Sequence, residues 1–155
     1  MTQRGLTYDQ LNIGDTFVSP RRTVTEADVV AFAGLSWDIN PLHTDAEFAQ
    51  ATPFGERIAH GMLIASIGTG LGNQIGVLEG TTLALMEQVI RYKGPVKFGD
   101  TVHMELIVKE KRETSKPDRG VVIFDTPILN QRGEKVIEMQ WTLLMRRTLS
   151  ADSSG

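Results

Sequence analysis

The chain contains no cysteine among its 155 residues. That absence removes disulfides, thiol catalysis and thiolate metal ligands together, and it suits the reducing cytoplasm, which is the compartment expected. A basic excess is missing as well: 16 Lys and Arg stand against 19 Asp and Glu, for a formal net charge of -3. Such a balance does not recruit a phosphate backbone, and no nucleic-acid partner is expected. The opening MTQRGLTYDQ has no apolar stretch of the signal-peptide kind. Between Arg57 and Glu79 there is no Asp, Glu, Lys or Arg, over a length sufficient to cross a bilayer. That span nevertheless carries His60, Ser66, Thr69, Asn73, Gln74 and five glycines. Those polar groups are expensive in lipid, so a helix buried in a water-soluble fold is expected and no membrane partner. Repeats, low-complexity tracts and linkers are also lacking. Residues 1–155 read as one domain, with an ordered core over about 11–147 and a small polar tail, 150–155, expected to be disordered.

What is present divides into two halves of different period. In the first, Thr25 and Asp28 form a capping signature, Val29, Phe32 and Ala33 share a helical face, and Gly34 is expected to stop the run. Thr44 and Glu47 repeat the signature ahead of Phe48. Between them, residues 36–43 read as a structured loop, because Pro41 disfavours helix at Asn40. From Gly61 to about Ile75 the sequence is apolar nearly all round, as in a helix covered on several sides. In the second half Val102, Met104, Leu106 and Val108 alternate with polar residues, as do Ile137, Met139, Trp141, Leu143 and Met145. Both patterns are strands with one buried face. Further strands are expected over Thr82 to Tyr92, apolar on both faces, over Val121 to Ile128 and over Thr16 to Arg22. One apolar helix followed by four antiparallel strands predicts an α+β fold with a curved sheet wrapped around the helix. Gly68, Gly70 and Gly72 each cost about 1 kcal/mol in a helix relative to Ala, which close approach to strands would offset.

Several motifs are excluded on inspection. Gly68-Thr69-Gly70-Leu71-Gly72 lacks a glycine at Asn73 and follows no strand, so it is not a dinucleotide loop. Ser66 has no G-x-S-x-G elbow around it. His43, Asp45, His60 and His103 do not form a metal-binding helix pair, and no metal or other cofactor is expected. The dense signal is Asp38-x-Asn40-Pro41-x-His43. Isolated, it reads as a turn of Asx residues and proline. Here an acid, an amide and an imidazole fall within six residues, shortly before Ile58-Ala59-His60-Gly61-Met62 opens the apolar helix. An Asp–His pair of this kind is able to polarise a water molecule.

Trp37-Asp38-Ile39-Asn40-Pro41-Leu42-His43-Thr44-Asp45, Phe48-Ala49, Phe54-Gly55 and Ile58-Ala59-His60-Gly61-Met62-Leu63 together resemble the signature of the MaoC-like hydratases. That family includes (R)-specific enoyl-CoA hydratases. Tyr92-Lys93-Gly94-Pro95-Val96, Gly99-Asp100-Thr101-Val102 and Asn130-Gln131-Arg132-Gly133-Glu134 extend the likeness over about Leu11 to Arg147. The resemblance implies a hot-dog fold and a lyase of fatty-acid metabolism that adds water to a 2-enoyl thioester, giving an (R)-3-hydroxyacyl thioester on coenzyme A or acyl carrier protein. It implies Asp38 and His43 as the catalytic pair, Asn40 as support for the loop, and the Gly61 N–H as the partner of the thioester oxygen. Thr69 falls where some members carry a small hydroxyl residue near the site. His60 either orients the loop, lines the pocket, or is simply a hydrogen-bonded histidine at a helix start. His103, on a strand, reads as a surface residue. Lys93, Lys97, Arg112, Lys116 and Arg119 are candidate contacts for carrier phosphates, though most read as solvated charges. The alternatives are a thioesterase on the same fold and a binding module with idle chemistry. A homodimer or dimer-based oligomer is expected, since a lone sheet would expose one apolar face of the Thr82–Tyr92 strand.

Overall fold

The computed structural model describes residues 3–148, so the expected disorder over 150–155 lies outside the described residues. After a 3-10 turn at Tyr8–Gln10, the chain forms β1 (Thr16–Val18), β2 (Arg22–Thr23), α1 (Glu26–Ser36), α2 (Pro41–Thr44), α3 (Ala46–Gln50) and α4 (Gly61–Gln74). Five strands follow: β3 (Thr82–Tyr92), β4 (Thr101–Glu113), β5 (Arg119–Asp125), β6 (Ile128–Leu129) and β7 (Lys135–Arg146). They make one antiparallel sheet in the order β1-β4-β5-β7-β3, with β2 on β4 and β6 bridging β4 and β7. The sheet curves around α4, which is the hot-dog arrangement.

Alternation builds the wall of the core. Val102, Met104, Leu106 and Val108 of β4 and Ile137, Met139, Trp141, Leu143 and Met145 of β7 are all buried. They meet Leu63, Ile64, Ile67 and Leu71 of α4 in one cluster. The glycines of α4 divide by what faces them. A Cβ on Gly68 would overlap Ile128, and one on Gly72 would lie 2.6 Å from Met104 Sδ. Those two glycines allow the helix to lie against the strands, whereas Gly70 has nothing within 4 Å. As expected, α4 is covered on several sides, though not on all: Met62, Ser66, Gly70 and Asn73 form an exposed stripe at helical spacing.

The structure departs from the sequence reading at several boundaries. Gly34 does not end α1, which runs on to Ser36 and stops where Trp37 takes a left-handed conformation with φ 64°. Residues 36–43 are not wholly loop, since Pro41 occupies the first position of α2, where its missing N–H costs nothing. The cap of α3 is Asp45, not Thr44; its carboxylate accepts from the N–H groups of Glu47 and Phe48. The strand expected over Thr16 to Arg22 is two, because Pro20 cannot donate to a ladder and the Ser19 hydroxyl instead accepts the Met104 N–H at 2.8 Å. Likewise β5 ends before Pro127 and β6 resumes at Ile128, so among the described residues seven strands stand where the sequence predicts five. β3 is a strand as expected, but among the described residues it pairs only with β7, and it lies exposed on both faces. His103 is part-buried on β4, 3.9 Å from Glu105.

Candidate active site

The segment from Ser36 to Gly61 is organised by side chains bonding to backbone. Ser36 Oγ donates to Phe32 O and accepts the Asp38 N–H at 3.1 Å, closing the turn after α1. The Asp38 carboxylate accepts the Asn40 N–H at 3.3 Å, an Asx turn. Asn40 then caps α2, its side-chain oxygen accepting the Leu42 N–H at 3.1 Å. Thr44 donates back to the carbonyls of Ile39 and Asn40. These bonds fix where α2 starts, and with it the direction of His43.

His43 is buried, and its Nδ1 lies 2.7 Å from the carbonyl of Ile58. A carbonyl only accepts, so the hydrogen sits on Nδ1 and the Nε2 lone pair is left free. His60, 2 % exposed, bonds through Nε2 to the carbonyl of Asp38 at 2.8 Å. Its ring stacks on that of His43, centroids 3.9 Å apart and planes 27° apart, and meets Phe32 edge-on. One ligating atom from each of Asp38, His43 and His60 lies within 4.8 Å of the others. The Nδ1 of His43 and the Nε2 of His60 are both committed as donors to carbonyls, which fixes the two rings relative to the Asp38 loop.

Beside this cluster opens a cavity of about 570 Å³. Leu42, Phe54, Ile58, Met62 and Ile64 supply apolar walls, while His43, Gly61, Tyr92 and Lys93 also face it. Gly61 begins α4, and the first N–H groups of a helix have no partner within it. A Cβ at Gly61 would lie 2.5 Å from the Tyr92 ring, so the aromatic side chain rests against the glycine itself. Lys93, half-exposed at the rim, is 3.9 Å from Glu138.

The structure therefore brings Asp38, His43 and His60 together, with Gly61 next to His60 in sequence and facing the same cavity as His43. Asp38 is exposed and does not itself line the cavity. Asn40 shapes the loop through its cap. Thr69 is not brought to this cavity: its hydroxyl donates to Ala65 O at 2.8 Å, and it lies two turns along α4, about 12 Å from Gly61 at 1.5 Å per residue. Tyr92 and Phe54 also wall the cavity, roles that their places in the sequence motifs do not reveal, because only the fold carries the end of β3 over the start of α4.

A family model described as MaoC like domain matches residues 9–126. The chain belongs to that family. It is 38% identical over 125 residues to the (R)-specific enoyl-CoA hydratase of Rhodospirillum rubrum, spanning 80% of this chain and 81% of that protein. Among solved structures, the monoamine oxidase regulatory protein from Archaeoglobus fulgius superposes with TM-score 0.88 at 36% identity, covering 96% of this chain and 99% of that one. The MaoC-like dehydratase from R. rubrum gives 0.85 at 32% identity, covering 94% and 100%.

Proposed function

We propose that the protein is a lyase, an (R)-specific enoyl-CoA hydratase that adds water across a 2-enoyl thioester and runs in reverse as a 3-hydroxyacyl-CoA dehydratase. The observation that carries the reading is the free Nε2 of a buried His43 beside the Asp38 carboxylate, next to an apolar cavity at the start of α4. The acyl chain occupies the apolar cavity. Asp38 and His43 hold one water between them; as its oxygen bonds to C3, the C2–C3 π electrons move toward the carbonyl and the negative charge collects on the thioester oxygen. The Gly61 N–H and the positive end of α4 stabilise that charge. The proton released by the water then passes from the pair to C2, on the same face. General acid–base help of this kind is worth roughly 10²–10⁴ in rate.

The (R) outcome rests on the likeness to the hydratase relative. Coenzyme A is the carrier named for that relative; acyl carrier protein is a second candidate, and the Lys93 ammonium at the rim suits the phosphates of either. The test is crotonyl-CoA hydration followed by absorbance, with chiral analysis of the product. Loss of conjugated absorbance without free thiol, and an (R) product, are the expected results. Free thiol would mean a thioesterase, and no reaction at all an acyl-thioester binder.

The proposed working unit is a homodimer in a reducing cytoplasm. β3 is a free edge with Leu83, Leu85, Met86 and Val89 exposed, and the open stripe of α4 adds Met62. A second copy joined along that edge would cover them. Among the described residues no helix is long and apolar enough to cross a membrane. A monomeric mass by light scattering at micromolar concentration would overturn the dimer.

A further inference from the structure

His60 holds the residue position that normally caps a helix, yet its side chain makes no capping bond to α4. It turns instead to the carbonyl of Asp38, at 2.8 Å and 22 residues away in sequence. Its other nitrogen, Nδ1, is buried without a partner. These two facts fix the hydrogen. A carbonyl needs a donor, so Nε2 carries it; the opposite tautomer would break that bond and leave a buried N–H unpaired. The neighbouring ring has the reverse arrangement, since His43 donates from Nδ1 to Ile58 O and keeps Nε2 bare. The two imidazoles stack face to face with opposite tautomers, each anchored to a different stretch of backbone.

We infer that His60 is a positioning residue that sets the spacing between the two halves of the site. The inference rests on the hydratase reading above. Through its backbone His60 is joined to Gly61, whose N–H donates to the thioester oxygen in that reading. Through Nε2–H it holds the Asp38 peptide, and through its ring face it backs the imidazole of His43. One side chain therefore ties the oxyanion donor, the acid and the base into a single frame. It touches neither the water nor the acyl group.

The test uses two amides of different reach. In His60→Gln the amide nitrogen falls near the position of Nε2 and keeps the donor to Asp38 O. In His60→Asn it falls near Nδ1 and loses it. With crotonyl-CoA, His60→Asn is expected to lower kcat about 100-fold while KM moves less than about threefold, because displacement costs turnover rather than ground-state binding. His60→Gln should recover at least about tenfold of that loss. Equal kcat in the two variants, or a change confined to KM, would overturn the inference. A second measurement needs no variant and no turnover. Nitrogen NMR of the wild-type protein with isotope-labelled histidine has only three rings to resolve. One should carry hydrogen on Nε2 (His60) and one on Nδ1 (His43); a shared tautomer for these two would equally sink the tether. A wild-type protein inert toward crotonyl-CoA but showing that tautomer pair counts against the hydratase and supports the tether.

Discussion

The sheet around α4 and the segment from Ser36 to Gly61 pack against one another but are held by different forces. In the sheet, buried apolar side chains recur at the period of a strand or a helix, and each touches several neighbours. In the segment, few side chains are buried, and its shape comes from single hydrogen bonds: Ser36 to Asp38, Asp38 to Asn40, Asn40 to Leu42, His43 to Ile58 and His60 to Asp38. Loss of one methyl from the sheet is shared among many contacts. Loss of one polar atom from the segment leaves a named backbone group without its partner. Stability should therefore respond to volume in the first region, and turnover to chemistry in the second.

The sharpest way to break that contrast lies in the segment. Asp38→Asn and His43→Ala are each expected to lower kcat by about 10²–10⁴, and the double variant to fall far short of the product of the two, because both groups hold one water. Steady-state kinetics beside thermal melts decide it; a folded variant of either kind with wild-type turnover would remove that residue from the chemistry. Gly61→Ala comes next and stands on the boundary between the regions. Its Cβ would drive the Tyr92 ring aside, and since that ring is half-exposed it has room to move. Turnover should drop by about 10–100-fold through a misplaced thioester while the melting temperature changes little. Full activity in that variant would mean that the carbonyl is bound elsewhere.

Smaller effects sharpen the other side. Gly68→Ala should destabilise by about 1–3 kcal/mol through overpacking against Ile128, less the gain in helix propensity. Gly70→Ala, with open space before it, should stabilise by up to about 1 kcal/mol. Urea denaturation of the two variants reads the difference, and equal shifts would deny that α4 lies closer to the sheet at Gly68. The smallest effect concerns the start of α1. Burial alone would raise the Asp28 carboxyl, but the Thr25 N–H and hydroxyl and the Arg22 guanidinium hold it below its ordinary value of 3.8. A depressed carboxyl contributes stability above its unfolded pKa and loses it as pH falls through the folded one. Asp28→Asn should thus be less stable than wild type at neutral pH, and the gap should close as pH drops below about 4. A gap that stays constant down to the acid transition would deny the shift.

The same division governs how much could be read from the residues. Alternation gave β4 and β7 directly, and apolar continuity located α4 to within a residue of its end. Proline explains most boundary errors. Pro127 and Pro20 lie inside runs of strand character and break both, while Pro41, weighed only for its effect on Asn40, also opens a helix. At α3 two capping residues stand side by side, and nothing local chooses Asp45 over Thr44. The candidate pair Asp38 and His43 was visible because its chemistry is concentrated within six residues. The bond from His43 to Ile58 was not, since it joins positions 15 apart through the fold. Thr69 stands away from the cavity because its position along α4, two turns beyond Gly61, decides which groups it meets. For the same reason Tyr92 reads in the sequence only as a strand end.

The left-handed turn at Trp37 has an optical consequence. The chain has two tryptophans, and their surroundings are opposites: Trp37 is 86 % exposed, immediately before Asp38, while Trp141 is 2 % exposed within β7. Trp37 should emit at long wavelength and be quenched by iodide, and Trp141 should emit at short wavelength, shielded from it. The unlabelled protein thus carries two reporters, one on the loop beside the acid and one inside the sheet. Ligand binding that moves the loop would change the red emission alone, whereas unfolding would merge the two bands into one.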